Sequence, residues 1–284
     1  MPSALSFYLI GHPIGHSMSP YIHKRLFGIS GLQASYSAVD IPPDRLSEEL
    51  PRLLKKAEGL NVTIPHKQAV IPFLDGLGEC AGVYRSVNTI KVDKNGCFGY
   101  NTDAKGFILA LEGAGIPLFG RVALLGCGGV GRTFACEAAA AGCRIVNAVR
   151  PSSIPSAESL RSFVLGLYPD TDYEIVLIDR LKGEFDLLIN ATPVGMYPDS
   201  GQMPVKKEVL SGAAAVFDAV YNPAETELLK AAKANGAKAL GGMSMLVLQA
   251  AEAHRIWYGA AFEKTGIEEL VEDAVREMER HFRG

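Results

Sequence analysis

The sequence is poor in cysteine: it contains five, an odd number, and no two of them form a CxxC pair. A disulfide framework or a zinc knuckle needs such pairs, so neither is expected. Free cysteines are among the residues most often buried in proteins, and we interpret all five as reduced and mostly packed. They are Cys80, Cys97, Cys127, Cys136 and Cys143.

Long apolar runs, a basic tract and an export signal are also lacking. Although 48% of the residues are hydrophobic, no apolar run reaches the ~18 residues that span a bilayer. The first residues, Met1–Ser6, lack a basic stretch followed by an apolar core, so we expect a soluble, cytoplasmic protein. Lys and Arg number 28 against 31 Asp and Glu, a net charge of −3, which disfavours binding to nucleic acid or to anionic membranes.

What the sequence does contain is an alternation of short strand-like runs and amphipathic stretches, which predicts an α/β fold. Its 284 residues suffice for about two domains. In the first half we predict strands at 7–10, 36–41 and 60–64, a helix from Ser19-Pro20 to about 28–31, a helix at 44–57, a helix opened by Pro65, and a hairpin of 87–92 and 97–100. Ser19 is expected to cap the first helix, and Asn95-Gly96 to form the hairpin turn.

A second unit is predicted to begin near residue 106. Arg121–Leu125 is a continuous apolar run, which is typical of a parallel strand covered on both faces. It leads directly into a glycine-rich loop and an alanine-rich helix that ends at Ala141. Further strands are predicted at 144–149, 173–178, 185–190 and 215–218, and amphipathic helices at 244–258 and 267–282.

The glycines of this loop, Gly126, Gly128 and Gly131, have the GxGxxG spacing between a strand and a helix. In that context the pattern predicts a dinucleotide-binding loop, and the alternative is a purely structural turn. About 20 residues further on, an NAD site usually carries an acidic residue. The chain has Arg150 in that region, which can pair with a 2′-phosphate and favours NADP, unless it is an ordinary solvated residue.

Polar side chains follow the third predicted strand. Asn61, Thr63 and Lys67 come at its carboxyl end, where open α/β sheets bind ligands. The amine of Lys67 can serve as an acid or a base, and Asp103 can orient it. Each residue also has an ordinary interpretation: Lys67 as a solvated helix residue, Asp103 as a helix cap, and Asn61 and Asn88 as turn residues.

Eight motifs occur in the order seen in the shikimate dehydrogenase family, and the chain resembles that family over nearly its whole length. The motifs are HSMSPYIH (16–23), GLNVTIPHK (59–67), SVNT (86–89), NTD (101–103), the glycine-rich loop, INATPVGM (189–196), FDAVYNPAET (217–226) and GMSMLVLQA (242–250). The resemblance implies an NADP-dependent shikimate dehydrogenase of the shikimate pathway, which serves aromatic amino acid biosynthesis. It also implies an N-terminal α/β substrate domain, 1–105, joined by C-terminal helices 246–284, and a Rossmann NADP-binding domain, 106–245, with the active site in the cleft between them.

By motif match, the resemblance implies that Lys67 is the catalytic acid and base and that Asp103 is its partner. The implied substrate-binding residues are Ser17, Ser19, Asn61, Thr63, Asn88, Tyr221 and Gln249. The implied cofactor-binding residues are Gly126, Cys127, Gly128, Gly129, Val130, Arg150, Thr192, Ala219 and Gly242. Hydroxyl groups beside a helix start suit an anion, so Ser17 and Ser19 fit the substrate carboxylate.

We expect no metal, because His12, His16 and His66 have no carboxylate partner at ligand spacing and the family chemistry uses none. The expected cofactor is NADP, with NAD as the alternative. The expected partner is a small-molecule substrate, bound by a monomer or a homodimer. Two other hypotheses stay open: a relative that prefers quinate or another polyhydroxy cyclohexane acid and uses NAD or NADP, and a non-catalytic ligand sensor on the same fold. The presence of both Lys67 and Asp103 argues against the sensor.

Four departures from the usual family pattern bear on the choice of substrate. They are Lys24, Arg85-Ser86 in place of a Gly-Ala pair, Ala104-Lys105 in place of a glycine, and Ser244 in place of a glycine. Two of these changes add a cation near the expected cleft. The added charge either tunes the binding of an acidic ligand or is simply solvated, as most Lys and Arg side chains are.

Overall fold

A computed structural model of the chain describes residues 5–15 and 17–282. The strands are β1 (Leu5–Gly11), β2 (Ala34–Asp40), β3 (Gly59–Val62), β4 (Gly76–Leu77), β5 (Thr89–Asp93), β6 (Gly96–Tyr100), β7 (Arg121–Leu125), β8 (Arg144–Val149), β9 (Tyr173–Leu177), β10 (Leu187–Asn190), β11 (Ala215–Asp218) and β12 (Lys238–Gly241). The helices are α1 (Ser19–Ser30), α2 (Leu46–Leu54), α3 (Glu79–Tyr84), α4 (Asp103–Gly113), α5 (Gly129–Ala140), α6 (Ile154–Leu167), α7 (Lys207–Leu210), α8 (Glu227–Ala234), α9 (Gly242–Tyr258) and α10 (Lys264–Phe282).

The chain divides into two compact units. The first comprises the described residues up to Gly106 together with Leu246–Arg276. The second comprises Phe107–Met245 and the described residues from Glu277 onward. The C-terminal part of the chain is thus shared, because most of α9 and α10 belongs to the first unit.

The first unit is built on a mixed six-stranded sheet with the strand order β2-β1-β3-β5-β6-β4. β1 runs parallel to β2 and β3, whereas β5 runs antiparallel to both of its neighbours, β3 and β6. Asn61 therefore lies opposite Thr89, and Thr89 lies opposite Tyr100. This reversal brings the carboxyl ends of β3 and β6 and the amino end of β5 to one edge of the sheet.

Apolar packing covers both faces of this sheet. One face carries an aliphatic cluster that buries the amphipathic helix α2; its fully buried members include Ile10, Leu50, Leu60 and Ile90. On the other face, Phe7 of β1 packs against Phe27 of α1 and Trp257 of α9, with ring centroids 5.1 and 4.6 Å away. A Cβ at Gly59 would lie 2.3 Å from the indole nitrogen of Trp257, so this close approach of α9 to β3 requires glycine.

The second unit contains a six-stranded parallel sheet with the order β12-β11-β10-β7-β8-β9. Counted within the unit, this is the strand order 3-2-1-4-5-6 of doubly wound dinucleotide-binding sheets. The order reverses between β7 and β10, where such folds bind ligands at the carboxyl ends of the strands. Helices α4 and α5 pack on one face through Phe107 and Phe134, whose rings contact Phe217 of β11.

The α/β prediction is confirmed, and the predicted strands 121–125, 144–149 and 215–218 agree with the structure to the residue. The predicted hairpin is also confirmed as β5 and β6, although its turn is Lys94-Asn95, because Gly96 already pairs with Asp93 as the first residue of β6. The helix predicted from Pro65 is wrong, because residues 64–70 form turns followed by a 3₁₀ helix at Ile71–Phe73. The backbone carbonyl of Lys67 accepts a hydrogen bond from the N–H of Val87 at 2.8 Å, so it is bonded to the segment before β5 instead of to the next turn of a helix.

Candidate active site

The polar edge of the first sheet carries a lysine and an aspartate in direct contact. Lys67 lies in the turns after β3, and its Nζ is 2.6 Å from Oδ2 of Asp103. The two side chains are 22% and 12% exposed, so the pair is mostly shielded but still reachable. Asp103 is the first residue of α4, where a carboxylate is favoured by the helix dipole. Asn101 accepts the N–H of Asp103 and of Ala104 and thereby caps this helix.

Asn88 connects this pair to the rest of the edge. Its Nδ2 donates to Oδ1 of Asp103 at 2.8 Å and to Oγ1 of Thr102 at 2.9 Å, and Oε1 of Gln249 lies 3.4 Å away. Its Oδ1 accepts the backbone N–H of Thr102 at 2.7 Å. Because both oxygens of Asp103 are engaged, one by Asn88 and one by Lys67, the carboxylate is held in a single orientation.

Asn61 and Gln249 complete the same network. Asn61 is 5% exposed, and its Nδ2 donates to the carbonyl of Asn88 at 3.3 Å and to Oγ1 of Thr89 at 3.2 Å. Gln249, from α9, is held by a hydrogen bond from its Nε2 to the carbonyl of Leu246 at 2.8 Å. The structure therefore brings five of the candidate residues together in the first unit: Lys67, Asp103, Asn61, Asn88 and Gln249. Half-buried Thr63 follows β3 directly, at the same edge.

Ser17 and Ser19 lie at the start of α1. The expected cap is shifted: Met18 occupies the N-cap position without a side-chain bond, and Ser19 is the first helical residue. Ser17 Oγ instead accepts the N–H of Ser19 at 3.2 Å. Two hydroxyls and the amino end of a twelve-residue helix are thus adjacent, which is an arrangement suited to an anion.

In the second unit, the glycine-rich loop joins β7 to α5. Gly126 has φ +95°, and a Cβ there would lie 2.9 Å from a methyl carbon of Thr192. A Cβ at Gly128 or Gly129 would meet no protein atom within 4 Å. The amino end of α5 has no side-chain cap, so its first N–H groups are left for a ligand. The loop therefore has the shape and polarity of a phosphate cradle.

Buried amides hold the strand ends around this loop. Asn147 is fully buried on β8 and donates to the carbonyls of Leu124 and Gly126 at 3.0 and 2.8 Å. After β10, both the N–H and the hydroxyl of Thr192 bond Oδ1 of Asn190. These bonds fix two candidate cofactor residues, Gly126 and Thr192. They follow the neighbouring strands β7 and β10, at the point where the strand order reverses.

A buried carboxylate orders the segment after β11. Asp218 accepts hydrogen bonds from Asn190, from the N–H of Val220 and from the hydroxyl of Thr226. Burial raises its pKa above the ordinary value, although these three bonds oppose the effect. Ala219 follows it, and a Cβ at Gly242 would lie 2.3 Å from the carbonyl oxygen of Ala219. Gly242 is therefore required for the close approach of α9 to this loop.

Four candidate residues of the second unit are less constrained. Arg150 follows β8 directly and is exposed. Tyr221 is half-buried, and burial raises the pKa of its phenol. Cys127 and Val130 of the glycine-rich loop are also half-buried, and burial raises the pKa of the Cys127 thiol. Tyr221 belongs to the second unit, whereas the other candidate substrate residues belong to the first.

Sequence reasoning missed one member of the first network, Tyr36, and did not include Thr89 and Thr102 among the implied binding residues. Thr89 and Thr102 supply hydroxyls to it, and Tyr36 donates from its phenol to Oδ1 of Asn61 at 2.8 Å. The two threonines lie inside the SVNT and NTD motifs, so the motifs contained a signal for them. Tyr36 occupies an ordinary alternating position of β2, and nothing in its local sequence marks it.

The histidines considered as metal ligands have other contacts. His12 Nδ1 lies 2.5 Å from Oδ1 of Asp40, a carboxylate partner that sequence spacing did not reveal. His66 is buried, and its Nε2 lies 2.6 Å from the carbonyl of Ile41. His16 lies outside the described residues. Among residues 5–15 and 17–282 no group of three or more His, Cys, Asp or Glu side chains is arranged to hold a metal ion. No helix in that part of the chain is long and apolar enough to cross a membrane.

Among the four departures from the family pattern, only the basic residues lie at the surface, whereas Ser86 and Ala104 are buried. Lys24, Arg85 and Lys105 are all exposed. Arg85 ends α3 with φ +51°, the left-handed conformation that glycine adopts most easily, which explains why a glycine is usual there. Ser244 donates to the carbonyl of Gly241 at 3.2 Å.

Known proteins resemble this chain over most of its length. A family model described as the shikimate dehydrogenase substrate binding domain matches residues 9–90. The shikimate dehydrogenase (NADP(+)) of Caldanaerobacter subterraneus subsp. tengcongensis is 37% identical over 93% of this chain and 95% of its own length. That of Archaeoglobus fulgidus is 38% identical over 88% of this chain and 91% of its own.

A solved structure is similar over the same extent. The shikimate 5-dehydrogenase of Thermus thermophilus, determined in complex with NADP(H) and shikimate, superposes with a TM-score of 0.85 and 35% identity. The match covers 95% of this chain and 99% of that one. Identity of this level across nearly the full length of several relatives shows that the chain belongs to the shikimate dehydrogenase family.

Proposed function

We propose that the protein is an NADP-dependent shikimate dehydrogenase that reversibly reduces 3-dehydroshikimate to shikimate, a reaction of the shikimate pathway. The observation that carries the proposal is the contact of Lys67 with Asp103, 2.6 Å, in the unit whose residues 9–90 match a substrate binding domain. A ligand sensor would need no proton donor at this point. The first unit would hold the substrate and the second unit the nucleotide.

Lys67 acts as the general acid in reduction. NADPH, when bound, supplies a hydride to the ring carbonyl carbon, and negative charge develops on the carbonyl oxygen. The Lys67 ammonium donates a proton to that oxygen, which completes the hydroxyl and leaves a neutral amine. In oxidation the amine takes the proton back from the hydroxyl. Positioned acid-base catalysis of this kind typically contributes ~10² to 10⁴ in rate.

Asp103 and Asn88 keep this lysine in place. The carboxylate holds Nζ through one oxygen and is itself held by Asn88 through the other. Because a proton donor must lie within hydrogen-bond reach of the reacting oxygen, this second contact matters for rate as well as for stability. Ser17 and Ser19 would bind the substrate carboxylate, while Asn61, Thr63, Asn88 and Gln249 would bind ring hydroxyls. Tyr221 is a further residue proposed to bind the substrate.

The second unit fits a phosphorylated dinucleotide. Gly128 and Gly129 leave open space above the uncapped amino end of α5, where a pyrophosphate can approach the backbone. Arg150 is exposed directly after β8, the position from which a guanidinium can pair with a 2′-phosphate. The remaining residues proposed to line the nucleotide site are Gly126, Cys127, Val130, Thr192, Ala219 and Gly242.

The test is a matrix of initial rates with shikimate or quinate as substrate and NADP⁺ or NAD⁺ as oxidant. We expect the highest kcat/KM for shikimate with NADP⁺. A strong preference for quinate with NAD⁺ would refute the proposed substrate and cofactor together. Absence of turnover in all four combinations would refute both substrates and leave the sensor or an enzyme with a different substrate.

The role of Lys67 is tested by Lys67→Ala, for which kcat should fall by ~10² to 10⁴ while the Kd for NADPH changes little. Asp103→Asn should also lower kcat more than nucleotide affinity. Lys94→Ala is the matched control, because Lys94 is an exposed lysine of the same unit at the far end of the β5–β6 hairpin. A Lys67→Ala variant with near-normal kcat would exclude this residue as the acid.

A further inference from the structure

Tyr36 reaches the polar edge from two strands away. In the register of the sheet, Tyr36 of β2 pairs with Phe7, and Asn61 of β3 pairs with Leu9, on the two sides of β1. Phe7 and Leu9 are two residues apart, so all four side chains point to the same face. Across this face the phenol of Tyr36 donates to Oδ1 of Asn61 at 2.8 Å.

The ring of Tyr36 is held by a buried histidine. His23 is 0% exposed and stacks on it, with ring centroids 4.2 Å apart and planes inclined by 7°. His23 is in turn fixed by His254 of α9, since Nδ1 and Nε2 of the two rings are 2.8 Å apart. Burial raises the pKa of the Tyr36 phenol well above its usual value, so this hydroxyl stays protonated and remains a donor.

The hydrogen bonds of Asn61 fix which way its amide faces. The carbonyl of Asn88 can only accept, so the atom of Asn61 that lies 3.3 Å from it must be the nitrogen. The second N–H of that nitrogen is directed to Oγ1 of Thr89. Both donors of Asn61 are therefore occupied within the protein. Its oxygen has two lone pairs, and Tyr36 uses one of them.

We propose that Tyr36 is a positioning residue that fixes the Asn61 amide with its remaining carbonyl lone pair available to accept a hydrogen bond from a ring hydroxyl of the substrate. This inference rests on the proposed function, because it takes Asn61 as part of the shikimate site. Asn61 then selects a hydroxyl, which can donate, and rejects a carbonyl or an ether at the same ring position, which cannot. Sites built to pair with a hydroxyl discriminate strongly against analogues that lack it.

The first experiment compares Tyr36→Phe with Tyr8→Phe. Tyr8 is on β1, and its side chain points to the opposite face of the sheet, so the control removes the same hydroxyl from the same sheet without touching Asn61. For Tyr36→Phe we expect kcat/KM for shikimate to fall about tenfold, while KM for NADP⁺ stays within about twofold. Tyr8→Phe should match the wild type in both. Wild-type kcat/KM in Tyr36→Phe would overturn the inference.

The second experiment asks whether Tyr36 acts through Asn61. In an Asn61→Ala background, Tyr36→Phe should cause no further loss of kcat/KM, because the group that it positions is gone. An additional loss of the same factor in that background would show a general structural effect and overturn the inference. Asn61→Ser serves in the same cycle if the alanine variant does not fold.

Substrate analogues supply a readout that a change in stability does not move. Two analogues of shikimate are compared, each lacking one of the non-reacting ring hydroxyls. The analogue that lacks the hydroxyl bound by Asn61 should be turned over equally by the wild type and by Tyr36→Phe. If the Tyr36→Phe substitution lowers turnover of every analogue by the same factor as turnover of shikimate, Tyr36 does not act through a hydroxyl contact. Failure of the proposed function looks different, because the wild-type protein itself would then not oxidise shikimate.

Discussion

The glycines of the dinucleotide loop should have separable roles, and two substitutions test this. At Gly126 an alanine would have to adopt φ +95° and would place its methyl group 2.9 Å from a methyl carbon of Thr192. A left-handed conformation costs a non-glycine residue about 1 to 2 kcal/mol, and the short contact adds to it. We therefore expect Gly126→Ala to lower the free energy of unfolding by about 2 kcal/mol.

At Gly128 the situation is reversed. Its φ is −76° and its ψ −168°, an extended conformation open to any residue, and no protein atom lies within 4 Å of an added Cβ. Gly128→Ala should therefore leave the stability of the nucleotide-free protein within about 1 kcal/mol of the wild type. The methyl group would instead occupy the space through which a pyrophosphate approaches the backbone. Loss of one hydrogen bond to a charged group costs roughly 1.5 to 3 kcal/mol, so KM for NADP⁺ should rise at least tenfold.

Two measurements separate these outcomes. Thermal unfolding of the nucleotide-free variants should show Gly126→Ala melting roughly 4 to 8 °C lower and Gly128→Ala near the wild type. Steady-state kinetics should show the raised KM for NADP⁺ in Gly128→Ala with KM for shikimate unchanged. A Gly128→Ala variant that melts as low as Gly126→Ala, or that keeps the wild-type KM for NADP⁺, would refute the assignment of the second glycine to ligand approach.

Two further predictions concern stability. Arg85 has φ +51°, so Arg85→Gly should raise the free energy of unfolding by about 1 kcal/mol in urea titrations, and a loss of stability would contradict the strain. Burial lowers the pKa of His254 to about 3. Below about pH 6.5 the imidazole of His254 is therefore protonated in the unfolded chain but stays neutral in the folded chain. The contribution of His254 to the free energy of unfolding is fully present above about pH 6.5 and is lost as the pH falls. At pH 5 this one residue should cost about 2 kcal/mol relative to pH 7, and His254→Gln should remove that part of the pH dependence. Equal losses on acidification in the variant and the wild type would exclude His254 as the cause.

The second unit was the more predictable from sequence. Arg121–Leu125 is an uninterrupted apolar run that ends in glycines, and a buried parallel strand followed by a tight turn is the structure that such a run favours. β12 was not predicted, because Lys238–Gly241 contains no β-branched or aromatic residue. It forms a strand by pairing with β11, a tertiary interaction that local sequence does not encode.

In the first unit, tertiary bonds override the local signal after β3. A proline after a strand is a reasonable helix start, yet Lys67 bonds Val87 through its carbonyl and Asp103 through its amine. Both partners are distant in sequence, and periodicity cannot reveal them. The same holds for Gln249, which reaches Asn88 across 161 residues and was identified only by its motif. Tyr36 had neither a motif nor a local signal.

The β5–β6 hairpin constrains how the chain length can vary. Asn88 precedes β5 and Asn101 follows β6, and five paired residues on each strand separate them from a tight turn. Removing one residue from either strand would shift the pairing by one and turn its side chains to the opposite face. Asn88 therefore stays beside Thr102 and Asp103 only if an insertion or deletion lies in the turn, or if residues are added or removed in pairs, one on each strand. The turn at Lys94-Asn95, five residue pairs from the polar edge, is accordingly the place in this unit for an inserted peptide tag or fluorophore.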